Sequence, residues 1–157
     1  MNPPSTIRLA LVQPRTDPRD PPKNVARALV YLEQAVALGA QVVCFPETYP
    51  GPWTLPLSYD PLPELAARAR DLDVYVVAGC LEPVPDEPDR YYNCLVLLGP
   101  DGREMGRYRR TTPRGPWIYR GGRFWDFGYR EASELPVFET RYCPIGLLVC
   151  SEVYVPE

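Results

Sequence analysis

Apolar positions in the first third of the chain switch between two periods. Residues 7–13 (Ile-Arg-Leu-Ala-Leu-Val-Gln) read as a strand behind a proline-rich N-terminal tail. A proline-punctuated loop is expected through Pro22. The period then becomes helical over residues 24–38, where Val25, Ala28, Leu29, Leu32 and Val36 share one face and Gly39 suits the position after the C-cap. Residues 41–45 form an unbroken apolar run, the pattern of a strand buried on both faces. Strand, helix and strand make one β-α-β unit, which predicts parallel strands joined by a right-handed crossover.

The pattern changes after a loop at residues 46–60 that is rich in proline and aromatic residues. A shorter helix is predicted over residues 62–71, with Leu65, Ala66 and Ala69 facing inward. Strands are predicted at residues 74–81 and 91–98, and the short polar link between them cannot hold a crossover helix, so this pair should be antiparallel. Gly99-Pro100-Asp101-Gly102 is a tight turn into a fifth strand at residues 105–108. Residues 109–133 show no period and read as one irregular loop, of the length that usually serves a site. A short strand at residues 135–140 and a buried terminal strand at residues 146–150 follow, the latter delivering Cys150 at its tip. With no repeat or low-complexity segment, residues 1–157 are expected to form a single α/β domain.

Composition narrows the chemistry. A net charge of -3 gives no reason to expect nucleic acid or an anionic membrane as partner. The arginines between Arg103 and Arg130 are interrupted by an acid and by aromatics, and their bland reading is a solvated loop face. No apolar run approaches the length of a membrane span, and the N-terminus lacks the apolar core of a signal peptide, so a cytoplasmic location is expected. The 5 cysteines include no CxxC pair, which indicates neither a disulfide framework nor a zinc site. Histidine is absent, which excludes Ser-His and Cys-His catalysis within this chain and makes a metal centre improbable. No metal or other cofactor is expected. Any nucleophile here must be activated by carboxylates or cations.

Three predicted strand ends carry such groups. Glu47 follows the second strand, Arg109 and Arg110 follow the fifth, and Cys150-Ser151-Glu152 follow the last. Each alone has a mundane reading: an acid after a strand is usually a loop residue, and a cysteine in an apolar run usually packs. Cys44, Cys80, Cys94 and Cys143 are read as packing residues in that way.

Taken in order, these pieces resemble the nitrilase (carbon-nitrogen hydrolase) superfamily. The matching stretches are the opening strand, the Asn24-Val25 helix start, Val-Val-Cys-Phe-Pro-Glu-Thr-Tyr-Pro-Gly at 42–51, and Tyr-Arg-Arg-Thr-Thr-Pro at 108–113. Leu-Pro-Val-Phe-Glu-Thr at 135–140 and Ile-Gly-Leu-Leu-Val-Cys-Ser-Glu-Val-Tyr-Val-Pro-Glu at 145–157 complete the set. The resemblance implies an α-β-β-α sandwich and hydrolysis of a small-molecule amide or nitrile through a cysteine thioester. It implies Cys150 as nucleophile and Glu47 as general base. It puts Arg110 where the family has a lysine, beside an oxyanion that the backbone N–H of Ser151 would also serve. Glu152 would pair with Arg110 or hold the nucleophile loop. Tyr49, Trp53 and Trp117, with the other loop aromatics, would either wall a substrate pocket or anchor their loops.

Two departures stand out. Arginine keeps the lysine's charge, but its wider guanidinium gives up no proton at accessible pH. The family's second glutamate has no counterpart, since residues 114–123 contain no acid. The sequence also stops 7 residues after Cys150, so it reads as the N-terminal part of a family member, C-terminally incomplete. Exposed sheet should then drive association, as a homo-oligomer or with another chain. The expected function is carbon-nitrogen hydrolysis; the alternative is an impaired or inactive fragment that needs such a partner.

Overall fold

A computed structural model of the protein describes residues 6–17, 19–52, 57–88, 90–111 and 128–154. Its core is a sheet of β1 (Leu9–Leu11), β2 (Val42–Cys44), β3 (Tyr75–Pro83), β4 (Arg90–Leu98) and β5 (Glu104–Arg109), hydrogen-bonded in that order. The pairs β1/β2 and β2/β3 are parallel, whereas β3/β4 and β4/β5 are antiparallel, as the loop lengths required. A sixth strand, β6 (Gly128–Tyr129), runs parallel to the start of β4, beyond the reach of β5. It lies within the stretch read as wholly irregular; two residues are too few to show a period.

Helices α1 (Pro21–Ala37) and α2 (Leu62–Asp71) cover one face of this sheet. Ala28, Leu32, Leu65 and Ala69 meet Val43, Val76, Ala78 and Val96 there, all fully buried. Each such aliphatic side chain larger than alanine stabilises the fold by about 1.5–3 kcal/mol. The first helix begins earlier than its periodicity predicted. Pro21 and Pro22 belong to its opening turn, where a missing N–H costs nothing, and the Asp20 carboxylate caps it by accepting from Lys23 N at 3.1 Å.

The other face carries a second, two-stranded sheet, β7 (Val137–Glu139) antiparallel to β8 (Pro144–Gly146). Phe138, Ile145, Leu147 and Val149 pack from it onto Val42, Tyr75, Val77, Leu95, Leu97 and Tyr108. The described layers are therefore helix, sheet, sheet. Here the terminal strand differs from expectation. Its ladder ends at Gly146, and residues 147–149 continue the in-out alternation with no strand partner among the described residues. Val149 is buried while Leu148 is 56% exposed, so the run is covered on one face and not two. Apolar composition specified the extended chain, but a ladder also needs a neighbour.

Candidate active site

The C-terminal ends of β2, β3 and β5 and the start of β4 lie at one end of the large sheet, and the polar residues gather there. Glu47 sits in a turn just past β2, closed by Tyr49 N donating to Pro46 O at 3.1 Å and fixed to β3 by Gly79 N donating to Tyr49 O at 3.1 Å. Gly79 makes that approach possible. A Cβ there would lie 2.8 Å from Pro46 O and closer still to the Thr48 amide. Thr48, next to the carboxylate, is held at a φ of 54°, a conformation that a β-branched residue rarely adopts.

Arg110 follows β5 directly. Its N–H donates to Asn93 O at 2.9 Å, which extends the β4/β5 ladder, and only 5% of the residue is exposed. The guanidinium links two loops: Nη1 lies 3.5 Å from Glu47 Oε1, and Nη2 donates to Ser151 Oγ at 2.6 Å. The sequence reading of the arginine cluster as a solvated face therefore fails for Arg110. Arg107 and Arg109 are only partly exposed and engage Glu82, Arg107 also pairing with Glu104 through both ends of its fork.

Cys150 opens a 3₁₀ turn (Cys150–Tyr154) and has a φ of 54° itself, so the Glu47 turn and the Cys150 turn each carry a left-handed, non-glycine residue. Such strain persists only where surrounding contacts fix the backbone. Glu152 supplies them. This carboxylate is 4% exposed and accepts from Tyr108 Oη at 2.6 Å, Thr111 N at 2.8 Å, Thr111 Oγ1 at 3.1 Å and Val149 N at 2.8 Å. It locks the Cys150 turn onto the end of β5. Of the two roles left open for Glu152, these bonds are of the loop-holding kind.

Electrostatics tie the thiol to Glu47. Burial pushes the Cys150 thiol up from its ordinary pKa, and the neighbouring Glu47 carboxylate pushes it further. The Ser151 N–H and the Arg110 charge pull it back without reversing the shift. Cys150 is exposed as a residue, so the desolvation is partial. The thiol is protonated at neutral pH and needs a base to become a nucleophile.

Other sequence-predicted residues fall elsewhere. Tyr49 is 2% exposed in the core on the helical side, its ring stacked on Phe45 at 5.5 Å and its hydroxyl donating to Asn24 O at 2.9 Å. These contacts anchor the loop. Trp53 and Trp117 lie outside the described residues. Cys143, read as a packing residue, is exposed, whereas Cys80 and Cys94 are buried opposite each other on β3 and β4. Sequence reasoning missed Asn93, which is 2% exposed and donates from Nδ2 to Glu47 Oε1 at 2.6 Å. Its only signal was a polar residue interrupting the apolar β4 run. No group of three or more His, Cys, Asp or Glu side chains among the described residues could hold a metal ion.

Residues 8–157 match the sequence model of the carbon-nitrogen hydrolases. The chain belongs to the carbon-nitrogen hydrolase family. Among relatives, a nitrilase of Bradyrhizobium diazoefficiens is 28% identical over 183 residues, covering 99% of this chain and 54% of its own. The omega-amidase NIT2 of Homo sapiens is 25% identical, covering 98% and 58%. The chain thus spans little more than half the length of these relatives. Among solved structures, a cysteine-to-alanine variant of the Nesterenkonia amidase from the nitrilase superfamily superposes with a TM-score of 0.78 at 21% identity, over 99% of this chain and 60% of that one. A glutamate-to-leucine variant of the same amidase, with a TM-score of 0.75 at 21% identity, covers 94% and 56% and carries the acetamide moiety of fluoroacetamide added covalently at its active-site cysteine. The carbon-nitrogen hydrolase fold explains why the strand ends converge as they do. No helix among the described residues is long and apolar enough to cross a membrane.

Proposed function

We propose that this carbon-nitrogen hydrolase cleaves the amide or nitrile of a small molecule through a thioester on Cys150, with Glu47 as base and Arg110 as the cation facing the oxyanion. The observation that carries this reading is the buried Arg110 guanidinium, which lies 3.5 Å from the Glu47 carboxylate at one nitrogen and bonds Ser151, the neighbour of Cys150, at 2.6 Å with the other. Glu47 takes the thiol proton as sulfur attacks the carbonyl carbon. The electron pair moves onto oxygen, where the Ser151 N–H and Arg110 donate; one such donor is worth about 2.7–4 kcal/mol. Glu47 then returns the proton to the leaving nitrogen, the C–N bond breaks, and a thioester remains. In the second half Glu47 takes a proton from water, hydroxide adds to the thioester, and the thiolate leaves and is reprotonated. For a nitrile the same attack gives a thioimidate, which water converts through the thioester to acid and ammonia. The reading needs no cofactor and uses no histidine.

Ammonia release from short aliphatic and aromatic amides and nitriles tests it, with Cys150→Ser and Glu47→Gln alongside the parent. Release should vanish in both variants. Release that survives Cys150→Ser contradicts the reading.

A second reading concerns association, and exposed apolar residues favour it. Leu9 and Leu11 on the edge strand β1 are 52% and 71% exposed, and Val137 and Leu148 on the small sheet are 62% and 56% exposed. These surfaces would be covered by further protein, in a homo-oligomer or by another chain, and hydrolysis would then depend on that association. Size-exclusion chromatography with light scattering reads it out: a larger species is expected, and a well-behaved monomer with full hydrolytic activity contradicts it.

A further inference from the structure

The geometry points to Asn93 as a positioning residue, whose side-chain amide holds the Glu47 carboxylate against Cys150. The inference rests on the assignment of Glu47 and Cys150 given above and extends it to a residue outside that pair. Asn93 lies on β4 between Glu47 and Arg110 and touches both: Nδ2 donates to Glu47 Oε1 at 2.6 Å, and its backbone oxygen accepts from Arg110 N at 2.9 Å. Of the two donors to Glu47 Oε1 among the described residues, Asn93 is the nearer; Arg110 Nη1 stands at 3.5 Å.

Chemistry fixes which end of the amide faces Glu47. Turned over, Asn93 would set its oxygen against a carboxylate oxygen, acceptor against acceptor, so Nδ2 must point to the base. That orientation leaves Oδ1 buried with no hydrogen-bond partner among the described residues. An unmatched buried acceptor costs about 1–3 kcal/mol. A side chain present only to fill space would be apolar and carry no such cost. The donor end is therefore what the position requires. Glu47 is 26% exposed and would turn toward water without that tether, leaving the thiol with Arg110 and the Ser151 N–H as its polar neighbours.

The test measures the pH midpoint of Cys150 alkylation by iodoacetamide, read by mass spectrometry of the Cys150 peptide. In that reaction a sulfur–carbon bond forms, iodide leaves, and the thiol proton is lost to solvent. Variants are Glu47→Gln, Asn93→Leu, Asn93→Ala and the double variant Glu47→Gln/Asn93→Leu. Leucine matches asparagine in size and removes the unmatched acceptor, so the fold tolerates it; alanine guards against a misfit, and buried Cys80 and Cys94 report any opening. Removing the Glu47 charge should lower the midpoint by roughly one pH unit. Both Asn93 variants should lower it in the same direction, by roughly half a unit or more. The double variant should fall no further than Glu47→Gln, because the amide acts through the carboxylate. An unchanged midpoint in both Asn93 variants, or a drop that persists in the Glu47→Gln background, overturns the inference and leaves the role of Glu47 standing. An unchanged midpoint in Glu47→Gln itself overturns the Glu47–Cys150 pairing beneath it.

Discussion

Tyr108 on β5 and Glu152 in the 3₁₀ turn share a 2.6 Å hydrogen bond, with both residues buried. That bond joins the strand that presents Arg110 to the turn that presents Cys150, so the two halves of the site are set by one carboxylate. Replacing Glu152 by alanine strands donors from Tyr108, Thr111 and Val149 at once. The expected loss is about 3 kcal/mol or more in unfolding free energy. Glu152→Gln keeps the shape and one acceptor and should lose less. Urea denaturation of the three proteins checks the order.

The same pair predicts an alkaline limit. Burial, then the Glu152 hydrogen bond, pushes the Tyr108 phenol from 10 up to about 12. A raised folded-state pKa favours the protonated form, so this contribution to stability is fully present below pH 10 and is lost as pH rises toward 12. Tyr49 is raised to about 12 as well, so the comparison must isolate Tyr108. Tyr108→Phe should be less stable than the parent at pH 8 and should lose less on going from pH 10 to 12. Thermal melts across that range give the slopes.

Arg110 offers a test of charge against shape. Arg110→Met removes the cation and should slow hydrolysis about 10²-fold, the usual result of losing one oxyanion donor. It should also move the Cys150 alkylation midpoint upward, since the Arg110 charge pulls that thiol down. Arg110→Lys keeps the charge but gives up the fork that spans Glu47 and Ser151. It should therefore restore most of the rate, and the midpoint with it. Initial rates and midpoints measured on the same preparations decide this.

At Gly79 the loop that carries Glu47 lies directly against the sheet. Alanine there would press its methyl into the Pro46–Thr48 backbone and should cost about 1–3 kcal/mol. A chain of this length loses roughly 2–4 °C in melting temperature for each kcal/mol. Because the displaced segment carries Glu47, hydrolysis should fall by more than the stability loss explains. Calorimetry and rates measured well below the melting temperature separate the two effects.

Much of this architecture was legible from periodicity, because helices and strands with one buried face write that face into the sequence. Leu65 and Ala69 of α2 and the antiparallel β3/β4 pair are cases of it. The prolines that open α1 were misread because proline signals a loop and a helix start alike. The Cys150 run was misread because an extended apolar chain and a paired strand share one pattern. Glu47, Arg110 and Cys150 were legible as a motif; Glu47 and Arg110 follow strands of the large sheet, whereas Cys150 follows the extended run after β8. Asn93 and Gly79 were not, since each matters only through a neighbour 46 or about 30 residues away.

The central claim is that Cys150 forms the covalent intermediate. Acid quenching of the protein during incubation with an amide or nitrile, followed by peptide mass spectrometry, reads this directly. The account predicts an acyl mass on the Cys150 peptide alone, absent from Cys150→Ser and depleted in Glu47→Gln. An adduct spread across Cys44, Cys80, Cys94 and Cys143, or ammonia release with no adduct on Cys150 at any time point, contradicts it.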